Sequence, residues 1–180
     1  IVPSLLVALE NGDEKDMSRV RALHGLTGIL SIRSRELLPY IIPRLIKSPM
    51  TINHARALSG IAAVTSTTLY SHFASIIPSI ISELGMIATG NTPEHEESIR
   101  EAARAICKNV DESGVNWLVT EIASKCANEK AEIRKESCWM FQILVEESKS
   151  LRSLSNLFFH SVWMRKNSIL LYFVPPKRQL

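Results

Sequence analysis

Ile41-Ile42-Pro43-Arg44-Leu45-Ile46 is a pattern that the chain uses three times, and its recurrence sets the architecture. It stands earlier as Ile1-Val2-Pro3-Ser4-Leu5-Leu6 and later as Ile76-Ile77-Pro78-Ser79-Ile80-Ile81, with the prolines 40 and then 35 residues apart. Self-similarity at a period of a few tens of residues marks stacked units, none of which can bury its apolar face alone. A second motif lies between the prolines. Arg21-Ala22-Leu23-His24-Gly25-Leu26 returns as Arg56-Ala57-Leu58-Ser59-Gly60-Ile61. Weaker copies follow at Arg100-Glu101-Ala102-Ala103-Arg104-Ala105-Ile106 and Arg134-Lys135-Glu136-Ser137-Cys138, so the four arginines are spaced by an average near 38 residues. The fourth unit lacks the proline, and Trp117 stands near its place.

Each unit is an apolar segment with a proline, a polar turn, and a second segment that begins near the arginine. Val20, Leu23, Leu26, Thr27 and Leu30 share one helical stripe, as do Ile99, Ala102, Ala103, Ile106 and Val110. Thr92-Pro93-Glu94 predicts a helix start, with a cap, a proline at the first position and acids in the first turn. Asp111 to Gly114 predicts the stop of that helix, and Gly85 to Gly90 a loop within a unit. Thr65-Ser66-Thr67-Thr68 predicts a turn between units, and Gly25 and Gly28 predict close helix approach. A proline inside a helix removes one hydrogen bond, so bends are expected at Pro43 and Pro78. Two antiparallel helices per unit predict an all-α fold, an α-solenoid of HEAT-type helical hairpins. The expected units are 1–36, 37–68, 69–113 and 114–149, followed by a divergent basic and apolar tail at 150–180 that packs poorly. Armadillo units would need a third helix for which there is little room. A four-helix bundle would not explain the recurrence.

Composition agrees with stacked helices. Hydrophobic residues make up 46% of the 180, which is globular rather than disordered. Aromatics are only 6%, and Phe158, Phe159, Trp163, Tyr172 and Phe173 all follow residue 150, so the body rests on aliphatics and alanine. Five of the 21 basic residues and none of the 18 acidic ones lie in 151–180, which leaves residues 1–150 with a net charge of −2. That is no phosphate-binding stripe, and no sequence-specific nucleic-acid contact is expected. Cys107, Cys126 and Cys138 fit neither a disulfide framework nor a zinc site and suit a reducing compartment. Residues 57–82 lack Asp, Glu, Lys and Arg, but nine of them are Ser or Thr, too polar for a membrane span. Starting at Ile1 inside an apolar run, the chain reads as a piece of a longer protein or an incomplete gene model. Apolar surface is accordingly expected at both ends, around Ile1, Val2, Leu5, Leu6 and Leu9 and around Trp163 and Ile169 to Val174.

Catalytic chemistry is missing from the pattern. His24, His54, His72, His95 and His160 are scattered without metal-ligand spacing, and Glu94-His95-Glu96-Glu97 sits where a helix start collects acids anyway. No nucleophile–base pair and no cofactor fingerprint stands out, so the expectation is a binding scaffold, not an enzyme, with no cofactor or metal. Pro3, Pro43, Pro78, Arg21, Arg56, Arg100 and Arg134 are read as structural repeat positions. HEAT units place an Asp about six positions before the arginine to ladder neighbouring units. Those positions are Lys15, Met50, Glu94 and Asn128, with Asp16 and Glu129 one residue away, so a partial ladder is expected. Arg33, Arg35, Arg44 and Lys47 gather near one expected inter-unit turn with Glu36 as the single acid among them. They are the candidate contacts for a partner or for ribosomal RNA; the competing reading is a solvated turn.

The residues between the motifs carry a resemblance. Arg21-Ala22-Leu23-His24-Gly25-Leu26, Leu37-Leu38-Pro39-Tyr40-Ile41-Ile42-Pro43-Arg44-Leu45, Asn53-His54-Ala55-Arg56-Ala57-Leu58 and Tyr70-Ser71-His72-Phe73-Ala74-Ser75-Ile76-Ile77-Pro78 resemble the general control non-derepressible translational activators. The likeness spans roughly residues 1–149, is nearest to the C-terminal part of a plant-like version, and stops after about Ser150. It implies a cytoplasmic, ribosome-associated HEAT scaffold that helps to activate the kinase of initiation factor two through that kinase's RWD domain. A karyopherin-like or other HEAT or armadillo adaptor is the alternative, although a body charge of −2 gives little acidic surface for basic cargo.

Overall fold

The aliphatic spacing becomes helix throughout the computed structural model, which describes residues 1–11, 17–87 and 93–148. α1 is Val2–Asn11, α2 Ser18–Leu45, α3 Ile52–Thr65, α4 Phe73–Ile87, α5 Pro93–Asn109, α6 Glu112–Cys126 and α7 Ala131–Glu147. A 3₁₀ segment, Ser66–His72, leads into α4. Among the described residues there is no strand, and no helix is long and apolar enough to cross a membrane. The fold is an all-α solenoid.

α2 is two helices joined end to end. Arg33 leaves helical geometry (φ −130°, ψ 40°), with Ala22, Leu26 and Leu30 buried before it and Leu38, Ile41, Ile42 and Leu45 after it. The break lets each half turn its own stripe into the core, which it shares with α1 and α3. Pro43 and Pro78, where bends are expected, both lie inside helices, and the one break in the dihedrals of α2 is at Arg33. The carbonyls deprived of a donor belong to Pro39 and Ala74, both on exposed faces where water can replace it. Losing that bond therefore does not force the helix open.

α3, α5 and α7 stack in one layer, while α4 packs against α6 and α7. The most extensive contact is α3 on α5. Both bury small side chains, Ala55, Ala57 and Ala62 in one and Ala102 and Ala103 in the other, which lets the helices approach closely. One continuous aliphatic core runs from Leu6 to Leu144, with Tyr70 and Phe73 as its fully or nearly buried aromatics, ring centroids 5.3 Å apart. Each fully buried Leu or Ile contributes about 2 kcal/mol by leaving water.

Several local expectations shift. The expected 20–30 stripe is centred instead on Ala22, Leu26 and Leu30, spaced by four, and Val20 turns out to be exposed. The Ile99 stripe is buried throughout. Gly85, Met86 and Ile87 are the last turn of α4 rather than loop, because Gly85 packs under Ile133 of α7. Asp111 ends α5 by starting α6: its side chain caps the Ser113 and Gly114 N–H groups at 2.9 and 3.1 Å, and Gly114 lies inside the new helix. Gly25 lies against Leu5, but a methyl group at Gly28 would meet nothing within 4 Å, so Gly28 serves no close approach. Leu6 and Leu9 are buried while Ile1 is exposed. Pro93 opens α5 with Glu94 and Glu96 in its first turn. Thr92, the loop residues 88–90 and the tail 150–180 lie outside the described residues.

Candidate functional site

The second half of α2 presents an exposed ridge above a buried floor. Leu38, Ile41, Ile42 and Leu45 point into the core, and Arg35, Glu36, Pro39, Tyr40, Pro43 and Arg44 face solvent. Glu36, Tyr40 and Arg44 recur every four residues, so they line one side of the helix. Tyr40 is 74% exposed at the middle. The four cations do not form one cluster. Arg33 and Arg35 lie at the start of this segment, whereas Arg44 and Lys47 lie about three turns on, roughly 16 Å away at 1.5 Å per residue. Arg33 is paired with Glu36 at 3.6 Å, both exposed.

Arg44 and Lys47 border an open cleft of about 470 Å³ with Glu10, Ser48, Pro49 and His54. The turn that carries Lys47, Ser48 and Pro49 is held from below by a buried carboxylate. Ser48 Oγ donates to Glu83 Oε1 at 2.7 Å and the Met50 N–H to the same oxygen at 3.1 Å. Ser48 and Glu83 are 35 residues apart, the interval between Pro43 and Pro78, so equivalent positions of successive repeats are bonded to each other. His95 Nε2 donates to the Met50 carbonyl from the next layer, and the Ser48–Pro49 peptide is cis. On the other wall His54 Nε2 lies 3.8 Å from Glu10. Burial lowers the His54 pKa below the ordinary 6.5 and Glu10 opposes that shift, so the imidazole is neutral at pH 7.

The repeated arginines do different things. Arg21 is exposed. Arg56 reaches Glu94 at 3.2 Å, the residue six before Arg100, which makes one rung between α3 and α5 on the surface. Arg100 makes the next contact from a protected position. It bonds Glu96 at 2.8 Å, lies 3.0 Å from Glu136 of α7, and stacks 4.3 Å from the Trp139 ring centroid. The Arg100–Glu136 approach lacks hydrogen-bond alignment at Glu136 Oε2, but charge attraction needs only proximity, and Glu136 is just 3% exposed. Arg134 folds back onto the Asn128 and Glu129 carbonyls at 2.9 and 2.7 Å. Met50 is buried, and Lys15 lies outside the described residues. Along the first helices Pro3 and Pro43 are exposed, Pro78 is half-buried and Trp117 is 60% exposed.

Nothing else concentrates reactive groups. Among the described residues no three His, Cys, Asp or Glu side chains converge as a metal ion would require. Burial pushes the Cys107 thiol up to about 12, so it stays protonated. The repeat pattern does not single out Glu10, Tyr40, Ser48, Glu83 or Glu136. Glu136 had a signal, since it occupies the slot filled by Leu23, Leu58 and Ala102 in the other copies. Glu83 had one as well, as the acid that ends the charge-free stretch 57–82.

Residues 37–161 match the family described as "Stalled ribosome sensor GCN1-like, HEAT repeats". The match runs past Ser150, so the likeness does not stop where the sequence suggested. The "eIF-2-alpha kinase activator GCN1" of Dictyostelium discoideum is 35% identical over 138 residues, 77% of this chain and 5% of that protein. "Protein ILITYHIA" of Arabidopsis thaliana is 33% identical over 134 residues, 74% of this chain and 5% of the relative. The human "Stalled ribosome sensor GCN1" is 26% identical over 159 residues, 86% of this chain and 6% of its own length. The plant relative thus stands level with the Dictyostelium one rather than ahead of it, and the chain spans about a twentieth of the length of such proteins. With a solenoid of helical hairpins and a match over more than half its length, the chain belongs to the GCN1-like HEAT-repeat family.

Proposed function

We propose that the chain is a segment of a non-enzymatic, cytoplasmic HEAT scaffold in translational control, contributing contact surface to ribosomes and to an RWD-domain kinase. The observation that carries this reading is the match of residues 37–161 to a ribosome-sensor HEAT family. Two relatives are named for kinase activation and for sensing stalled ribosomes. The division into units 1–36, 37–68, 69–113 and 114–149 with a divergent tail at 150–180 belongs to the same reading. Arg33, Arg35, Arg44 and Lys47 are its candidate contact residues, being exposed cations along the second half of α2 and the turn that follows it.

The test is co-sedimentation of the purified 180-residue chain with ribosomes, together with capture of an RWD-domain kinase from starved-cell extract. Retention in the ribosomal pellet that falls as salt rises is the expected result. Recovery of a small GTPase and no ribosome would point to a transport adaptor and overturn the reading.

A further inference from the structure

We propose that the cleft between Arg44, Lys47, Glu10 and His54 receives a carboxylate side chain from an acidic peptide segment, a partner class that rests on the scaffold reading above. At about 470 Å³ the cleft suits one or two residues of an extended chain. Arg44 and Lys47 are both exposed, and neither has an ion-pair partner among the described residues. Arg33, at the far end of the ridge, already faces Glu36. The floor is preset: Glu83 and His95 clamp the turn behind Lys47, so little ordering is needed on binding. Tyr40, one turn before Arg44, offers an exposed aromatic beside the charges, and Tyr and Arg are among the residues enriched at the energetic centres of protein contacts.

The opposite wall selects the kind of anion. Glu10 carries a negative charge, which repels a multiply charged phosphate but can accept an N–H from a peptide backbone. An acidic peptide brings both a carboxylate for the cations and donors for Glu10. RNA is a poorer fit, because tracking a phosphate backbone needs cations in succession. Of the helices that pack against α2, α1 contains neither Lys nor Arg and α3 has only Arg56, which already reaches Glu94.

Fluorescence anisotropy of a labelled deca-glutamate peptide against the full chain tests the assignment, with deca-uridylate RNA as comparator. Expected are salt-sensitive peptide binding, about tenfold weakening in Arg44→Glu/Lys47→Glu, and a change within about twofold in Arg33→Glu/Arg35→Glu. All four side chains are exposed, and unchanged melting and helical circular dichroism would verify that the variants fold. RNA binding equal to the peptide's, or equal loss in both double variants, would overturn the proposal. The chain's own acids Asp13, Glu14 and Asp16 are a rival occupant. If Asp13→Asn/Glu14→Gln/Asp16→Asn tightens peptide binding more than tenfold, the cleft is theirs and the proposal fails. Ribosome co-sedimentation runs alongside. No peptide binding with co-sedimentation intact overturns the cleft assignment alone, and peptide binding without co-sedimentation overturns the translational reading alone.

Discussion

The part of the solenoid before the 3₁₀ segment and the part after it use the same repeat to different ends. Before it, the glycines are less closely enclosed: a methyl group at Gly28 would meet nothing, and at Gly25 and Gly60 it would come to 3.4 and 3.3 Å from leucine methyls, tight but able to give. After it, a methyl at Gly85 would lie 2.8 Å from Ile133 and at Gly114 2.6 Å from Tyr70 and Val110. The arginine rungs differ as well. Arg56–Glu94, which joins the two parts, is on the surface, whereas Arg100–Glu136, inside the second part, is sheltered, with 16% and 3% of the side chains exposed. Tight packing and a buried ion pair brace the second part, while the first keeps charged and aromatic side chains available on the α2 ridge. Recognition needs groups that are not already consumed by packing.

The largest test of this contrast is Arg100→Met. It removes the nearer cation from the buried Glu136 carboxylate, leaving only the exposed Lys135 at 3.8 Å, and breaking a buried pair from one side costs about 3 kcal/mol. Urea unfolding should show the loss. Because a matched apolar pair avoids both desolvation penalties, Arg100→Met/Glu136→Leu should recover most of it. A single variant within about 0.5 kcal/mol of the parent would mean that the pair is solvated and the two parts are alike.

Glycine substitutions come next. Gly114→Ala pushes a methyl into Tyr70, which cannot swing away because its ring packs on Phe73 and its hydroxyl accepts the Asp111 N–H at 3.0 Å. Overpacking of this kind costs about 2 kcal/mol. Gly28→Ala should instead stabilise by about 0.7 kcal/mol, since it adds helix propensity and meets no neighbour. Thermal melts of the two variants should move in opposite directions; a shared direction would erase the contrast.

Much of the helical layout was legible because spacing alone carries it. The proline and arginine copies and the Ile99 stripe needed no tertiary knowledge. What escaped depends on contacts between units. The break at Arg33 arises because two buried stripes on one rod must face different neighbours, and no residue there signals a stop. The four cations are close in sequence, yet a helix of about 1.5 Å per residue carries them apart. Glu94 was readable as a ladder position, whereas Glu136 and Glu83 required comparing each slot across the copies and asking which acid stood where others were apolar or hydroxyl-bearing. The cleft itself joins α1 to the turn after α2, a pairing that only the stacked hairpins bring about.

Acid should loosen the first part of the chain through His54, and the boundary through His72. Burial lowers both pKa values below 6.5, so the unfolded chain takes up these protons first as pH falls. Their stabilising share is complete above pH 6.5, declines as pH drops below it, and is fully lost once pH is under the folded values. Glu10 softens the effect at His54 by favouring the charged ring. His54→Gln/His72→Gln should therefore flatten the change in melting temperature between pH 7.5 and 5.5, and Glu10→Gln should steepen it. An unchanged slope in the double variant would show that neither ring is truly desolvated.

The smallest effect belongs to the surface rung. Arg56 and Glu94 are half and nearly two-thirds exposed at 3.2 Å, so water screens their attraction and both side chains lose freedom on pairing. A double-mutant cycle with Arg56→Ala and Glu94→Ala should give a coupling of about 0.3 kcal/mol, falling towards zero in molar salt. The same cycle at Arg100 and Glu136 should return several times more and respond less to salt, because that pair is largely buried. Glu94 also lies in the first turn of α5, where its charge favours the helix dipole, so Glu94→Ala alone should cost more than Arg56→Ala alone. A coupling above about 1.5 kcal/mol at the surface rung would place it beyond ordinary exposed pairs and remove the distinction between the two seams.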